Sequence, residues 1–173
     1  MPLGASLKCK TKSKDKSMKI DRQEIHSSVL DFLELLKNES SSNSIESLEL
    51  ALDKLALIYH FIGEVPNDEK EYLQPPNRDY FKWREIVAEN FPKFGFYNIP
   101  STISEKIGEA ELHTGDAIDD LADIANELTD FIWRWENNSE NNALWYLGYS
   151  YEIHWSSHLR NLQTYLYAIK TES

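Results

Sequence analysis

The stretch that decides the fold is Thr114–Glu136, TGDAIDDLADIANELTDFIWRWE. After the polar turn Asn137–Asn142 it is followed by Ala143–Lys170, ALWYLGYSYEIHWSSHLRNLQTYLYAIK. In the first run Ala117, Leu121, Ile124, Leu128, Phe131 and Trp135 recur every three or four residues, the spacing that lines one face of an α-helix. In the second, Leu144, Tyr151, Trp155, His158, Leu162, Leu166 and Ile169 form the matching line. The polar residues between the runs leave room only for a turn, so the two helices lie antiparallel as neighbours. This hairpin predicts an all-α fold.

Three shorter helices precede it. Ile25, Val29, Phe32, Leu33 and Leu36 form one stripe, with Asp21 as its cap and the polar run Asn38–Ser44 as its end. Leu48, Leu52, Leu55, Tyr59 and Ile62 form the next, opened by the capping-box pair Asn43 and Glu46 and closed by Gly63. Residues 64–78, with Pro66, Pro75 and Pro76, read as a loop. Asp79 then caps a helix through Asn90 that carries Tyr80, Trp83 and Val87, with Phe91 at its end. The aromatic segment Phe91–Pro100 (FPKFGFYNIP) is expected to pack on the bundle as a loop. No segment shows sustained two-residue alternation. The expected architecture is one helical bundle of about five helices over residues 20–173, the last two forming a long antiparallel hairpin.

Ahead of the bundle, residues 1–19 hold six of the chain's 18 basic residues and a single acid, Asp15. A Lys/Ser tract without hydrophobic periodicity is expected to be a disordered extension. Met18, directly before the first periodic segment, is a candidate translation start. Across 173 residues, 18 basic and 29 acidic side chains give a formal charge of −11. Such a surface repels phosphate backbones and anionic lipid, so neither nucleic acid nor membrane is the expected partner. One cysteine, Cys9, makes neither an internal disulfide nor a thiolate metal site. No apolar run approaches the roughly 20 residues of a membrane span, and a cytoplasmic protein is expected.

The chemistry-bearing residues flank the same hairpin. Asp116, Asp120, Asp123, Glu127 and Asp130 form a stripe beside the apolar face of the first long helix, at about 100° per residue. On the second, His158 points almost into the core line and His154 lies about 40° to its side. An antiparallel pairing sets Asp120 level with Leu159, Asp123 with Ser156 and Glu127 with Glu152. Three readings are open for the set Asp120, Asp123, Glu127, Glu152, His154 and His158. It is a structural polar seam that fixes helix register; or Asp120, Asp123, His154 and His158 hold a divalent metal; or the set lines a recognition pocket. No cofactor is expected under the first reading. The Glu-x-x-His pairs of di-iron bundles are missing, since Glu152 precedes His154 by two and faces elsewhere. Of Trp133 and Trp135, about 160° apart on the wheel, one is expected at the surface or in an interface.

The pattern DDLADI (Asp119–Ile124), a polar turn, and then E-x-H-W-x-x-H (Glu152–His158) resembles a family of small bacterial helical proteins classed as a domain of unknown function. The resemblance covers about the last 60 residues well, and more loosely FYNIP and an N-terminal helix. It departs at Ser156–Ser157, in place of Trp-Gly, and in the lysine-rich extension. The resemblance implies an all-α, cytoplasmic, bacterial protein. It brings no established activity, cofactor or catalytic residue.

The expected function is a non-enzymatic binding or regulatory module that recognises another protein, an immunity-like role being one form. The alternative is a metal-dependent hydrolase similar to all-α nucleotide pyrophosphohydrolases, with Glu46-x-x-Glu49 and Asp120-x-x-Asp123 as its carboxylate pairs.

Overall fold

In the computed structural model, residues 19–38, 45–65, 70–76, 79–101 and 107–171 are described. The lysine-rich extension up to Met18, and the Asn43 half of the expected capping box, lie outside them. Helix α1 (Arg22–Lys37) starts at Asp21, whose carboxylate accepts the Glu24 N–H, and α3 (Tyr80–Asn90) starts at Asp79, which does the same for Lys82. Between them α2 (Ile45–Tyr59) runs into Gly63, where φ of +69° suits a residue without Cβ. Helices α1 and α3 buttress α4 (Ala117–Asn137), which also packs along the whole C-terminal rod, while α2 lies against α1 and the end of that rod. A single core threads them: Phe32, Leu36, Leu48, Leu55, Leu121, Ile124, Leu128, Phe131 and Trp155 are all sealed from solvent.

Two features depart from the reading of the sequence. Part of the expected loop is strand: β1 (Phe96–Pro100) pairs antiparallel with β2 (Leu112–Asp116), so the helical bundle carries a small hairpin. Tyr97 and Ile99 turn inward from β1, an alternation too brief to register as a period, and 112–116 show no alternation at all. Helix α4 consequently opens at Ala117, capped by Asp116, and not at Thr114, where the quoted run begins. Opposite Tyr97 stands Gly115. A Cβ there would sit 2.5–2.8 Å from the Tyr97 ring, so the bare glycine lets that ring lie flat across the strand pair.

The second departure is in the last helix, which is a rod of three parts. It begins three residues early, as α5 (Glu140–Ser150) capped by Ser139, and ends as α6 (Ser156–Thr171). Between them Tyr151–Trp155 form a π-turn. A π-turn absorbs about one extra residue, which rotates everything beyond it by about 100° relative to an unbroken helix. In a regular helix Tyr146 and His158 would point about 120° apart; the π-turn leaves about 20° between them. This rotation also places Leu159 in the core, beside the half-buried His158 that was expected near the core line.

Candidate functional site

Asp120, Asp123, Glu127, Asp130 and Arg134 repeat every three or four residues along α4, and all but Asp123 are buried. Polar side chains are buried only where partners replace water. Here the partners come from β1 and the C-terminal rod. His158 Nδ1 lies 2.6 Å from Asp120 Oδ1, whose other oxygen accepts the Tyr97 hydroxyl. His154 Nδ1 lies 3.0 Å from Glu127 Oε1. The buried Tyr146 hydroxyl stands 2.5 Å from Glu127 Oε2 and 3.2 Å from Asp130 Oδ2. Arg134 closes the row, stacked 4.4 Å over the Tyr146 ring and bonded to Asn142 and Gln74. The result is two tyrosine–carboxylate–histidine chains side by side.

The electrostatics follow from these bonds. The bond to Asp120 raises the His158 pKa above its ordinary value, against the opposing effect of burial, and Asp123 and Asp119 add to the rise. Burial raises the Asp123 pKa, while His158 and His154 pull it back. The Tyr97 hydroxyl is pushed far up by burial and by its bond to Asp120, so it stays a donor.

Five of the six expected residues therefore meet in one place, at the heights expected from the antiparallel pairing. Glu152 does not: it is exposed and accepts the Tyr59 hydroxyl at 2.8 Å, on another side of the rod. The two acidic pairs of the hydrolase reading are not brought together either. Glu49 is bonded to Lys170, about 18 Å further along α6 than His158. Neither Tyr97 nor Tyr146 was singled out from the sequence. The first depends on the strand pairing, and the second on the π-turn.

A separate cleft lies between α3 and α4, about 260 Å³ in volume and walled by Trp83, Trp133, Ile86, Pro75 and Pro76. Lys37 and Lys82 stand at its rim, with Lys37 5.1 Å over the Trp83 ring. Thr129, itself exposed, accepts the Trp83 indole N–H. Beside it lies Asn126, 8% exposed, whose amide makes no hydrogen bond among the described residues. Of the tryptophan pair, neither is fully at the surface: Trp133 lines this cleft, and Trp135 stacks 4.6 Å from His26.

The geometry defines a mostly helical domain built round an acid–histidine seam. Residues 17–172 match the family described as a domain of unknown function (DUF5063), and the chain belongs to that family. The crystal structure of protein BF1032 from Bacteroides fragilis is similar in fold, with a TM-score of 0.59 at 20% identity, over 86% of this chain and 90% of that one. No curated protein matches the chain. Among the described residues no helix is long and apolar enough to cross a membrane.

Proposed function

We propose that the protein is a binding module rather than a catalyst, and that its ligand enters the α3/α4 cleft. The observation that carries this reading is Asn126. Its amide lines the cleft without a hydrogen-bond partner among the described residues, so its donor and its acceptor are both left for whatever enters. Its neighbours suit a planar group with an amide-like edge held between apolar walls, and Lys37 and Lys82 set against Asp79 and Asp130 favour no net charge on it. At about 260 Å³ the cleft falls just below the roughly 300–1,000 Å³ typical of drug-sized sites, which fits one ring or one side chain. Recognition of a protein is the finer form of the reading. Its support is Leu73 and Phe81, 67% and 76% exposed, each close in sequence to residues of the cleft wall and rim. The hydrolase reading lacks comparable support, because its carboxylate pairs stand apart.

The test is Asn126→Leu, followed by chemical denaturation. If the amide serves a ligand, removing it leaves stability equal or higher by up to about 1 kcal/mol. Nucleobases, aromatic amides and short aromatic peptides that raise the wild-type melting temperature should then fail to raise the variant's. A loss of stability above about 1 kcal/mol would show that Asn126 serves the fold and would overturn the reading.

A further inference from the structure

The acid–histidine seam has an outer layer, formed by the atoms its internal hydrogen bonds leave over. We infer that Asp123, His154 and His158 form a binding site for a divalent transition-metal ion of the zinc type, distinct from the α3/α4 cleft.

Both histidine rings are anchored from behind. Each has its Nδ1 held by a carboxylate that is itself buried, Glu127 for His154 and Asp120 for His158. Each of those carboxylates accepts a tyrosine hydroxyl with its other oxygen. A ring donating Nδ1–H to a fixed carboxylate keeps its lone pair on Nε2 and has its orientation set. That is the outer-shell arrangement that supports metal-ligating histidines. Four residues apart, on the turns where the π-turn passes into α6, the two rings stand with centroids 5.1 Å apart.

The third ligand is the α4 carboxylate that the seam does not use. Asp123 lies between Asp120 and Glu127 on the same face, but it makes no hydrogen bond among the described residues. Its Oδ2 is 3.7 Å from His158 Nε2. One ligand atom from each of Asp123, His154 and His158 falls within 4.8 Å of the others. Tetrahedral bonds of about 2.0–2.1 Å place ligand atoms about 3.4 Å apart. The remaining approach is a side-chain adjustment of His154, whose ring is 41% exposed, and of Asp123. Of the four residues named as a metal set from the sequence, Asp120 thus moves to a supporting role, its oxygens being taken by His158 and Tyr97.

The donor set selects the ion. Two imidazole nitrogens and one carboxylate suit zinc, cobalt or ferrous iron, whereas magnesium and calcium take oxygen ligands. Three protein ligands leave at least one position open to water or to a small anionic ligand. A dication also offsets charge where Asp120, Asp123 and Glu127 gather.

The test uses the untagged full-length chain, stripped with chelator and titrated with Co²⁺ and with Zn²⁺. The expected result is one Co²⁺ per chain at micromolar or tighter affinity, with the visible absorption of a four- or five-coordinate site, displaced by Zn²⁺ and not by Mg²⁺. Asp123→Asn, His154→Ala and His158→Ala should each weaken binding by about tenfold or more. Asp123→Asn removes no hydrogen bond seen in the fold, so it separates lost ligation from lost folding; circular dichroism checks the histidine variants. Asn126→Leu should leave Co²⁺ binding unchanged, which keeps this result apart from that of the cleft. Absence of stoichiometric Co²⁺ binding would overturn the proposal. So would binding that survives Asp123→Asn and His154→Ala undiminished, because the ion would then sit elsewhere.

Discussion

Removing one oxygen atom tests whether the seam is dry. The Tyr146 hydroxyl serves two carboxylates, Glu127 at 2.5 Å and Asp130 at 3.2 Å, and these side chains come from residues only 4% and 5% exposed. Tyr146→Phe keeps the ring, its packing and the stack under Arg134, and deletes only the donor. A hydrogen bond to a charged group contributes about 1.5–3 kcal/mol. The shorter bond to Glu127 should count in full. The longer one counts for less, since a single hydroxyl proton cannot be given wholly to both. The expected cost is about 2–3 kcal/mol. For a chain of this length each kcal/mol moves the melting temperature by about 2–4 °C, so a fall of roughly 4–12 °C should appear in calorimetry or circular dichroism. Tyr149→Phe is the control, because that ring is 47% exposed; surface changes of this kind stay within about 0.5 kcal/mol. A Tyr146→Phe loss as small as the control's would mean that water reaches Glu127 and Asp130, and the account of a sealed seam would fail.

The strand pair and the histidines give two more expectations. Gly115→Ala puts a methyl into the Tyr97 ring and should cost about 1–3 kcal/mol by overpacking. In a Tyr97→Phe background, where no hydroxyl is left to be drawn off Asp120, the same change should cost less, and strict additivity in thermal unfolding would refute the link. The pH response concerns His158 in chelator-treated protein, where the facing groups are Asp119, Asp120, Asp123, His154 and Tyr97. Its folded pKa lies above the ordinary 6.5, chiefly through the Asp120 bond. The stability it contributes is therefore fully present below about pH 6.5 and is lost as pH rises through the folded value. Denaturation of wild type and His158→Gln from pH 5.5 to 9 should show the wild-type advantage shrinking toward alkali; an advantage that grows instead would reverse the assignment.

The helices were legible because each carries its own period and its own cap. Asp21, Asp79 and the stripe from Ala117 to Phe131 state their structure within a few residues, as did the level of each seam acid against its histidine. What could not be read depends on contacts made across the chain. The five residues of β1 are strand because 112–116 lie beside them, and neither segment alternates for long enough to stand alone. Tyr146 faces Glu127 because of a backbone irregularity within an otherwise helical sequence, to which a fixed angle per residue is blind. Asn126 carries no sequence signal, since only the packed structure brings its amide to the wall of a cleft without a protein partner.

The π-turn at Tyr151–Trp155 divides the C-terminal rod into two counting frames. Up to Ser150 the bundle reads the rod in one phase; from Ser156 it reads as though the numbering had slipped by one. Heptad letters assigned in α5 lose their meaning in α6, and a single helical wheel drawn through both averages two registers into a blur. The two halves can therefore specialise. Leu144, Leu147 and Tyr146 answer to the middle and C-terminal part of α4, while Leu159, Leu162 and Leu166 answer to its beginning and to α2, with the histidine pair standing at the point where the phase changes.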